Sequence, residues 1–281
     1  MAGMSIIVVT PGAAQQTATS AEPPSDLPSE PSLDTLFKLY QPYLGNISAY
    51  EPMYFLVGTD PAQTKFQISL KYRPFGDQNE LAKRHPWVGG FHFGYTQTSF
   101  WNLASESAPF EDTSYKPELF YITKNIRFRP GWMEGFFLQS GARHESNGQA
   151  GADSRSTNTI YLQPVFIFYN PVSRLGLGVS PRLWFYLDND EETNADLDDY
   201  RGYFTLNLKV GKTDGFVLDT TLGWAREGVS FYADLTYPLS RLLPSSAGIY
   251  LQTQYVDTLA ESLLDYRERT RALRFGFAIV R

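Results

Sequence analysis

The stretch Phe66-Gln67-Ile68-Ser69-Leu70-Lys71-Tyr72-Arg73 decides the fold. Apolar and polar side chains alternate residue by residue, the period-2 pattern of a β-strand with one apolar and one polar face. A face carrying Lys71 and Arg73 has no place in a dry core without partners, whereas the polar lumen of a barrel accepts it. The apolar face is therefore expected to meet lipid. The alternation recurs along the chain. Phe204, Leu206, Leu208 and Val210 alternate with Thr205, Asn207 and Lys209, and Ile249 and Leu251 with Tyr250, Gln252 and Gln254. Leu273, Phe275, Phe277 and Ile279 alternate with Arg274 and Gly276. Soluble sandwiches alternate as well. These runs, however, extend to about 10 residues, as a tilted membrane-crossing strand requires.

Working outward, twelve strands are expected, near residues 50–58, 65–73, 88–101, 117–128, 133–146, 157–169, 176–187, 200–210, 215–224, 229–237, 248–256 and 271–280. Short turns fall near Pro130-Gly131, Asn170-Pro171 and Gly211 to Gly215. Longer polar loops cover 102–116, 145–156, 188–199 and 257–269. Short turns on one side, long loops on the other and an even strand count describe an all-β, twelve-stranded antiparallel transmembrane β-barrel with no unpaired edge in lipid. The barrel is expected over 48–281. Residues 1–47 are expected to be a flexible leader, a remnant of an export signal, because their Ala, Ser, Pro, Glu and Gln bury too little apolar area to offset ordering entropy. Barrels of this kind usually end on an aromatic residue, and here the last residues are Ile279-Val280-Arg281.

Composition agrees. Aromatic residues are 15% of the 281, with 18 Tyr and 20 Phe, against 19% charged residues, a mixture suited to many half-apolar strands. No window holds the 18 or so apolar residues of a spanning helix. A net charge of −6 without clustered Lys and Arg argues against a nucleic-acid partner. The absence of Cys excludes disulfides, thiol nucleophiles and thiolate-held zinc.

The stretch that carries chemistry is His144-Glu145-Ser146-Asn147-Gly148, ending one strand, followed by Ser154-Arg155-Ser156-Thr157-Asn158, opening the next. Parity places His144 and Ser146 on the face of Phe136 and Leu138, and Asn158 on the face of Ile160, Leu162, Phe166 and Phe168. All three polar residues thus belong at the rim of an apolar surface. A serine nucleophile needs a base within reach, and that base needs a third group to fix its tautomer. An amide does this without bringing a second charge close to hydrocarbon. Gly148 allows the backbone to turn and aim N–H groups at a developing oxyanion. The plainer reading of a His-x-Ser pair in a loop is a solvated rim, and spacing by itself does not separate the two.

The string 144–148, the gap to Asn158, and the upstream Gly94-Tyr95-Thr96-Gln97, Trp101 and Ser107-Ala108-Pro109-Phe110 resemble the outer-membrane phospholipase A family. Glu261-Ser262-Leu263-Leu264-Asp265-Tyr266 belongs to the same likeness, which runs over about residues 50–281. The resemblance implies a twelve-stranded barrel in the Gram-negative outer membrane, acting on membrane phospholipid through a Ser-His-Asn triad on its outer wall, here His144, Ser146 and Asn158. It also implies calcium, held by Ser154 and the backbone carbonyl of Gln149, with Ser107 supplied by the partner in an active homodimer. Gln149 stands where the family has Arg, which a carbonyl ligand tolerates. A non-enzymatic pore or scaffold barrel is the alternative, and a soluble apolar-ligand barrel a further one.

Other features read more plainly. The acidic stretch Asp188 to Asp199 lacks the central Gly of an EF-hand loop and reads as a solvated loop. His92 reads as a packed or lumenal residue. Tyr95, Gln97 and Trp101 fit support of the site and an aromatic girdle equally.

Overall fold

Alternating residues make strands here because each backbone that enters hydrocarbon must find all its hydrogen-bond partners on neighbouring strands. The computed structural model describes residues 45–59, 63–102, 110–190, 192–243 and 248–281. Almost all of the expected leader, 1–47, and the candidate ligand Ser107 lie outside them. The strands are β1 (Ile47–Ala49), β2 (Met53–Gly58), β3 (Thr64–Tyr72), β4 (Phe91–Trp101), β5 (Phe110–Ile122), β6 (Gly135–Ser146), β7 (Ser156–Asn170), β8 (Leu175–Asn189), β9 (Phe204–Gly211), β10 (Val217–Ala225), β11 (Gly228–Pro238), β12 (Tyr250–Leu259) and β13 (Arg269–Val280). From β2 onward each pairs antiparallel with its sequence neighbours, and β13 pairs with β2, which closes the ring.

β1 and β2 both pair with β3, so they are two pieces of one stave and the barrel has twelve. The expected first strand, 50–58, therefore begins only at Met53, and the stave is interrupted before it. Between the pieces lie Tyr50, Glu51 and Pro52, and Pro52 has no N–H for the ladder. The break turns Tyr50 onto the Phe120 ring, 4.9 Å away, and brings Glu51 to Arg143 at 2.8 Å. The strand expected at 117–128 also differs: β5 begins at Phe110. Its opening run of mostly polar residues, Glu111 to Lys116, hides the alternation, yet from Asp112 to Lys116 the backbone is paired to β4, with Glu111 in a bulge.

The barrel is inverted relative to a soluble protein. On β3, Ile68 and Leu70 are 48% and 43% exposed while Ser69 between them is 0% exposed, and on β13 Phe275 and Phe277 are exposed while Arg274 is 0% exposed. An apolar outer wall around a polar lumen is stable only in a bilayer, and an even-numbered antiparallel barrel of this kind is that of the Gram-negative outer membrane. No described helix is long and apolar enough to cross a membrane, and strands do the crossing.

The two ends differ. At one end the connections include the 146–156 loop, the 189–204 loop with a short helix, and the 259–269 loop. That helix, Leu197–Arg201, buries Leu197 against Leu263 and Tyr266 of the 259–269 loop. Asp112 fixes the second loop by accepting from the N–H groups of Leu263 and Leu264 at 3.0 and 3.1 Å. At the other end the β7–β8 and β9–β10 turns are short, while the β5–β6 and β11–β12 connections are longer. The β3–β4 connection carries the helix Glu80–Arg84, capped by Asn79 accepting from Leu81 and Ala82 N–H.

Inside, charges are matched. Glu261 reaches from the 259–269 loop to Lys65 at 2.9 Å and Arg274 at 2.6 Å, with all three side chains nearly inaccessible. Burial alone would push the Glu261 carboxyl up, but the Lys65 charge and the Arg274 hydrogen bonds outweigh it and hold it at about 2. Glu261→Ala leaves two buried cations without their shared partner and is expected to cost about 3–5 kcal/mol. Denaturant titration in detergent, followed by heat-shifted gel mobility, measures it. Because the folded value lies below the ordinary carboxylate range, the wild-type contribution is complete above about pH 4.5 and is lost as pH falls through about 2. The variant's stability should therefore be the flatter of the two over that window.

Candidate active site

Antiparallel pairing of β6 with β7 sets the site. His144 lies directly opposite Asn158, and Ser146 opposite Ser156. Since neighbours along a strand face opposite sides, the outward pair His144 and Ser146 alternates with the inward pair Arg143 and Glu145. The inward pair is clamped: Arg143 bonds Glu118 at 3.1 Å and Glu51 at 2.8 Å, and Glu145 bonds Arg201 at 2.8 Å and accepts from Ser114. The strand is thus fixed from the lumen while its outer side chains stay accessible.

His144 Nδ1 lies 2.9 Å from Asn158 Oδ1. The amide oxygen is an acceptor, so Nδ1 carries the proton and Nε2 is left free as a base. A register shift in the β7–β8 ladder lies between Asn158 and Thr159, a local irregularity of the kind that re-aims a side chain beside a site. Ser146 Oγ makes no hydrogen bond of its own among the described residues, and its hydroxyl is half-buried at the rim. Beside His144 the β5–β6 ladder skips from Glu118↔Arg143 to Tyr115↔Ser146. Pro117, which has no N–H, falls in that gap, and the interruption borders a groove of about 690 Å³ on the outer wall. Phe93, Pro117, Leu119 and Leu187 give the groove apolar walls, with His144 and Asn158 in its lining.

After Ser146 the chain turns back on itself, and Asn147 holds the turn. Its side chain donates to the Asp153 carbonyl at 2.8 Å and accepts from the N–H groups of Gln149 at 3.2 Å and Arg155 at 3.0 Å. Its own N–H donates to the Arg155 carbonyl at 3.1 Å. This draws the segments bearing Gln149 and Ser154 together. Gly148 adopts φ +70°, in the left-handed region, and a Cβ there would meet the Tyr115 ring at 3.0 Å. Asn194 braces the loop from outside, accepting from Ser156 N–H at 3.1 Å and donating to its carbonyl at 2.9 Å.

Calcium favours oxygen donors, including backbone carbonyls. Among the described residues neither the Gln149 carbonyl nor the Ser154 hydroxyl takes part in a hydrogen bond, while Arg155 occupies the neighbouring carbonyls of Ala152 and Ser154 at 2.7 and 2.9 Å. The two expected donors are therefore available and fit a hard cation. No cluster of three His, Cys, Asp or Glu exists among the described residues.

Of the other expected residues, His92 packs against Phe120 at 5.0 Å, on the opposite face of β4 from Phe93 of the groove. Tyr95 donates to Gln97 at 3.1 Å on the outer face of β4. Asp188, read as the start of a solvated loop, instead lies within β8, one residue before its end, opposite Asn158, and lines the groove. Asn147 as the hub of the turn was also not singled out; only the return of residues 153–155 reveals it.

A family model described as Phospholipase A1 matches residues 44–279. Phospholipase A1 of Escherichia coli K12 is 31% identical over 210 residues, 73% of this chain and 65% of its own. A Neisseria meningitidis relative is 30% identical over 223 residues, 76% of this chain and 54% of its own, so the chain spans between half and two thirds of these curated relatives. Among solved structures, outer membrane phospholipase A from Escherichia coli superposes with a TM-score of 0.65 at 23% identity, covering 85% of this chain and 95% of that one. The Salmonella typhi outer membrane phospholipase dimer with bound calcium does so with 0.65 at 23% identity, covering 83% and 91%. At these identities the structural likeness is one of fold, and the family match rests on sequence: this chain belongs to the phospholipase A1 family.

Proposed function

We propose that the protein hydrolyses acyl ester bonds of glycerophospholipids, with phospholipase A1, A2 and lysophospholipase action, from the outer wall of the barrel. The observation that carries this reading is the 2.9 Å His144–Asn158 contact on a lipid-facing wall, two residues from Ser146 and beside an apolar groove. An acyl chain lies along the groove. Ser146 Oγ attacks the ester carbonyl as His144 Nε2 takes its proton, and Asn158 keeps the imidazole in the tautomer that allows this. His144 then protonates the departing glycerol oxygen and leaves an acyl-serine. In the second half His144 draws a proton from water, the hydroxide displaces the fatty acid, and Ser146 regains its proton. The N–H of Gly148 is aimed at the tetrahedral oxyanion. The open Ser146–His144 contact is of the kind that tightens once substrate is seated.

Calcium would be held by the Gln149 carbonyl and Ser154, with Ser107 from a second copy, and when bound it supplies positive potential that stabilises the developing oxyanion. A shared cation makes activity depend on dimerisation. The calcium and dimer assignments draw support from the Salmonella typhi relative, whose structure is a dimer with bound calcium.

Fatty-acid release from phospholipid micelles, with calcium and then with excess chelator, tests the reading. Wild type should turn over only with calcium, and Ser146→Ala should lose roughly a million-fold while the barrel stays folded. Asn158→Ala should lose less, since His144 remains to take the proton. Full activity in Ser146→Ala would give the nucleophile's role to another residue, and no release from a folded wild-type barrel would favour a pore or scaffold. A separate expectation concerns the turn. Asn147→Ala should speed amide exchange at Gln149 and Arg155, equivalent to about 1–3 kcal/mol of local stability, and weaken terbium binding measured by luminescence, with gel mobility unchanged.

A further inference from the structure

The Asn158 amide is engaged at one end only. Its oxygen meets His144 Nδ1 at 2.9 Å, while its Nδ2 hydrogens have no acceptor among the described residues. Taken alone, this pair is degenerate. A flipped amide could donate from Nδ2 to an unprotonated Nδ1, and the imidazole would then carry its proton on Nε2, where it is useless as a base toward Ser146. A further group is needed to decide which end of the amide faces the ring.

Such a group stands on the next strand. The ladders place His144 opposite Asn158 and Asn158 opposite Asp188, one row across β6, β7 and β8. Asp188 reaches the outer wall through an irregularity. Along β8, Trp184 and Tyr186 line the lumen, and Leu183, Phe185 and Leu187 are exposed on the wall, so unbroken alternation would send Asp188 inward. Between the pairs Thr159↔Tyr186 and Asn158↔Asp188, however, β8 advances two residues against one of β7, with Leu187 as the extra residue. Parity is reset there. Asn189 turns inward and accepts from the Thr157 hydroxyl at 2.6 Å, while Asp188 joins Asn158 in the lining of the outer groove. Neighbouring strands lie about 4.8 Å apart, which puts a carboxylate and an amide directly opposite each other within side-chain reach. Asp188 is exposed on this wall and has neither an ion pair nor a hydrogen bond among the described residues. An unused donor and an unused acceptor thus face each other at the edge of an apolar surface, where leaving either unmatched is costly.

We infer that Asp188 is a positioning residue for the triad, accepting from Asn158 Nδ2 so that the amide oxygen stays toward His144 and the imidazole keeps its proton on Nδ1. The inference rests on the roles proposed above for Ser146, His144 and Asn158. Asp188 remains ionised and exchanges no proton. When Ser146 passes its proton to His144 Nε2 the ring becomes cationic, and a carboxylate two hydrogen bonds away stabilises it through the polarised amide. An acyl chain in the groove excludes water from the row, which favours the pairing of donor with acceptor.

The test is steady-state fatty-acid release from phospholipid micelles with calcium, using the full chain as wild type, D188N, D188E, N158A and N158A/D188N, with gel mobility to verify folded barrels. D188N keeps the shape and removes the charged acceptor. It should lower kcat by roughly 10- to 100-fold, the scale of one hydrogen bond to a charged group, with KM unchanged. D188E restores a carboxylate on a longer stem and should recover most of the rate. In the N158A background D188N should cost less than about twofold more, because no amide remains to orient. Wild-type kcat in D188N, or the full loss repeated in the N158A background, overturns the assignment. So does an effect confined to KM for lipids with ammonium headgroups, which would make Asp188 a substrate contact. A folded wild type that releases no fatty acid defeats the hydrolytic reading and this inference together, whereas turnover indifferent to Asp188 defeats the inference alone.

Discussion

Inside a bilayer no water is available to a backbone amide, and every N–H and C=O that crosses hydrocarbon must be paired within the protein. A sheet meets that demand only by closing, and closure is made where β2 pairs with β13 and β3 with β4. The rest follows from the geometry of a closed ring. Side chains alternate between two environments, so apolar residues turn outward and everything charged turns to a lumen where it must be matched. Glu261 with Lys65 and Arg274, and Arg143 with Glu51 and Glu118, are those matches. The cost of burying such ions is offset by partners on two strands and one irregular segment in each case, which ties the staves across the barrel as well as along it.

The same alternation makes a site possible on the outside. A residue that faces lipid has few neighbours to hold it, and a constellation set on a flat wall would be loosely defined. β6 resolves this through its inward residues: Arg143 and Glu145 are gripped by ion pairs, so the intervening His144 and following Ser146 inherit a fixed position. Asn158 then needs only to come from the adjacent strand. The turn beyond Ser146 is rigid for a different reason, because one buried amide, Asn147, satisfies backbone groups on both of its limbs.

Period-2 alternation made most of the fold legible before any coordinates. β3 and β13 lie within two residues of the expected 65–73 and 271–280, and β9 begins four residues after the start of the expected 200–210. It failed where both faces are polar. Glu111 to Lys116 carries polar residues on both faces with Tyr115 as the one aromatic, so no run of alternation marks the start of β5. It also failed at Tyr50 to Pro52, where pairing across 89 residues of sequence, Tyr50 with Gln139, decides the conformation. For the site, strand parity was enough to put His144 and Ser146 on one face and Asn158 beside them. Asp188 escaped notice because the register shift in the β7–β8 ladder alters the pairing near it, and a simple strand count does not foresee a shift.

The seam has a kinetic meaning. Phe55 and Phe277 face each other in it, although more than two hundred residues separate them along the chain. Neighbouring hairpins can form as soon as each is available, but this contact waits for the last strand to arrive. Until then β2 and β13 each present an open edge, a template for pairing with another chain as readily as with one another. Loop closure over such a span is slow. The inserting chain therefore passes through a state whose lifetime is set by its topology, and its yield depends on keeping those two edges apart from strangers until they meet.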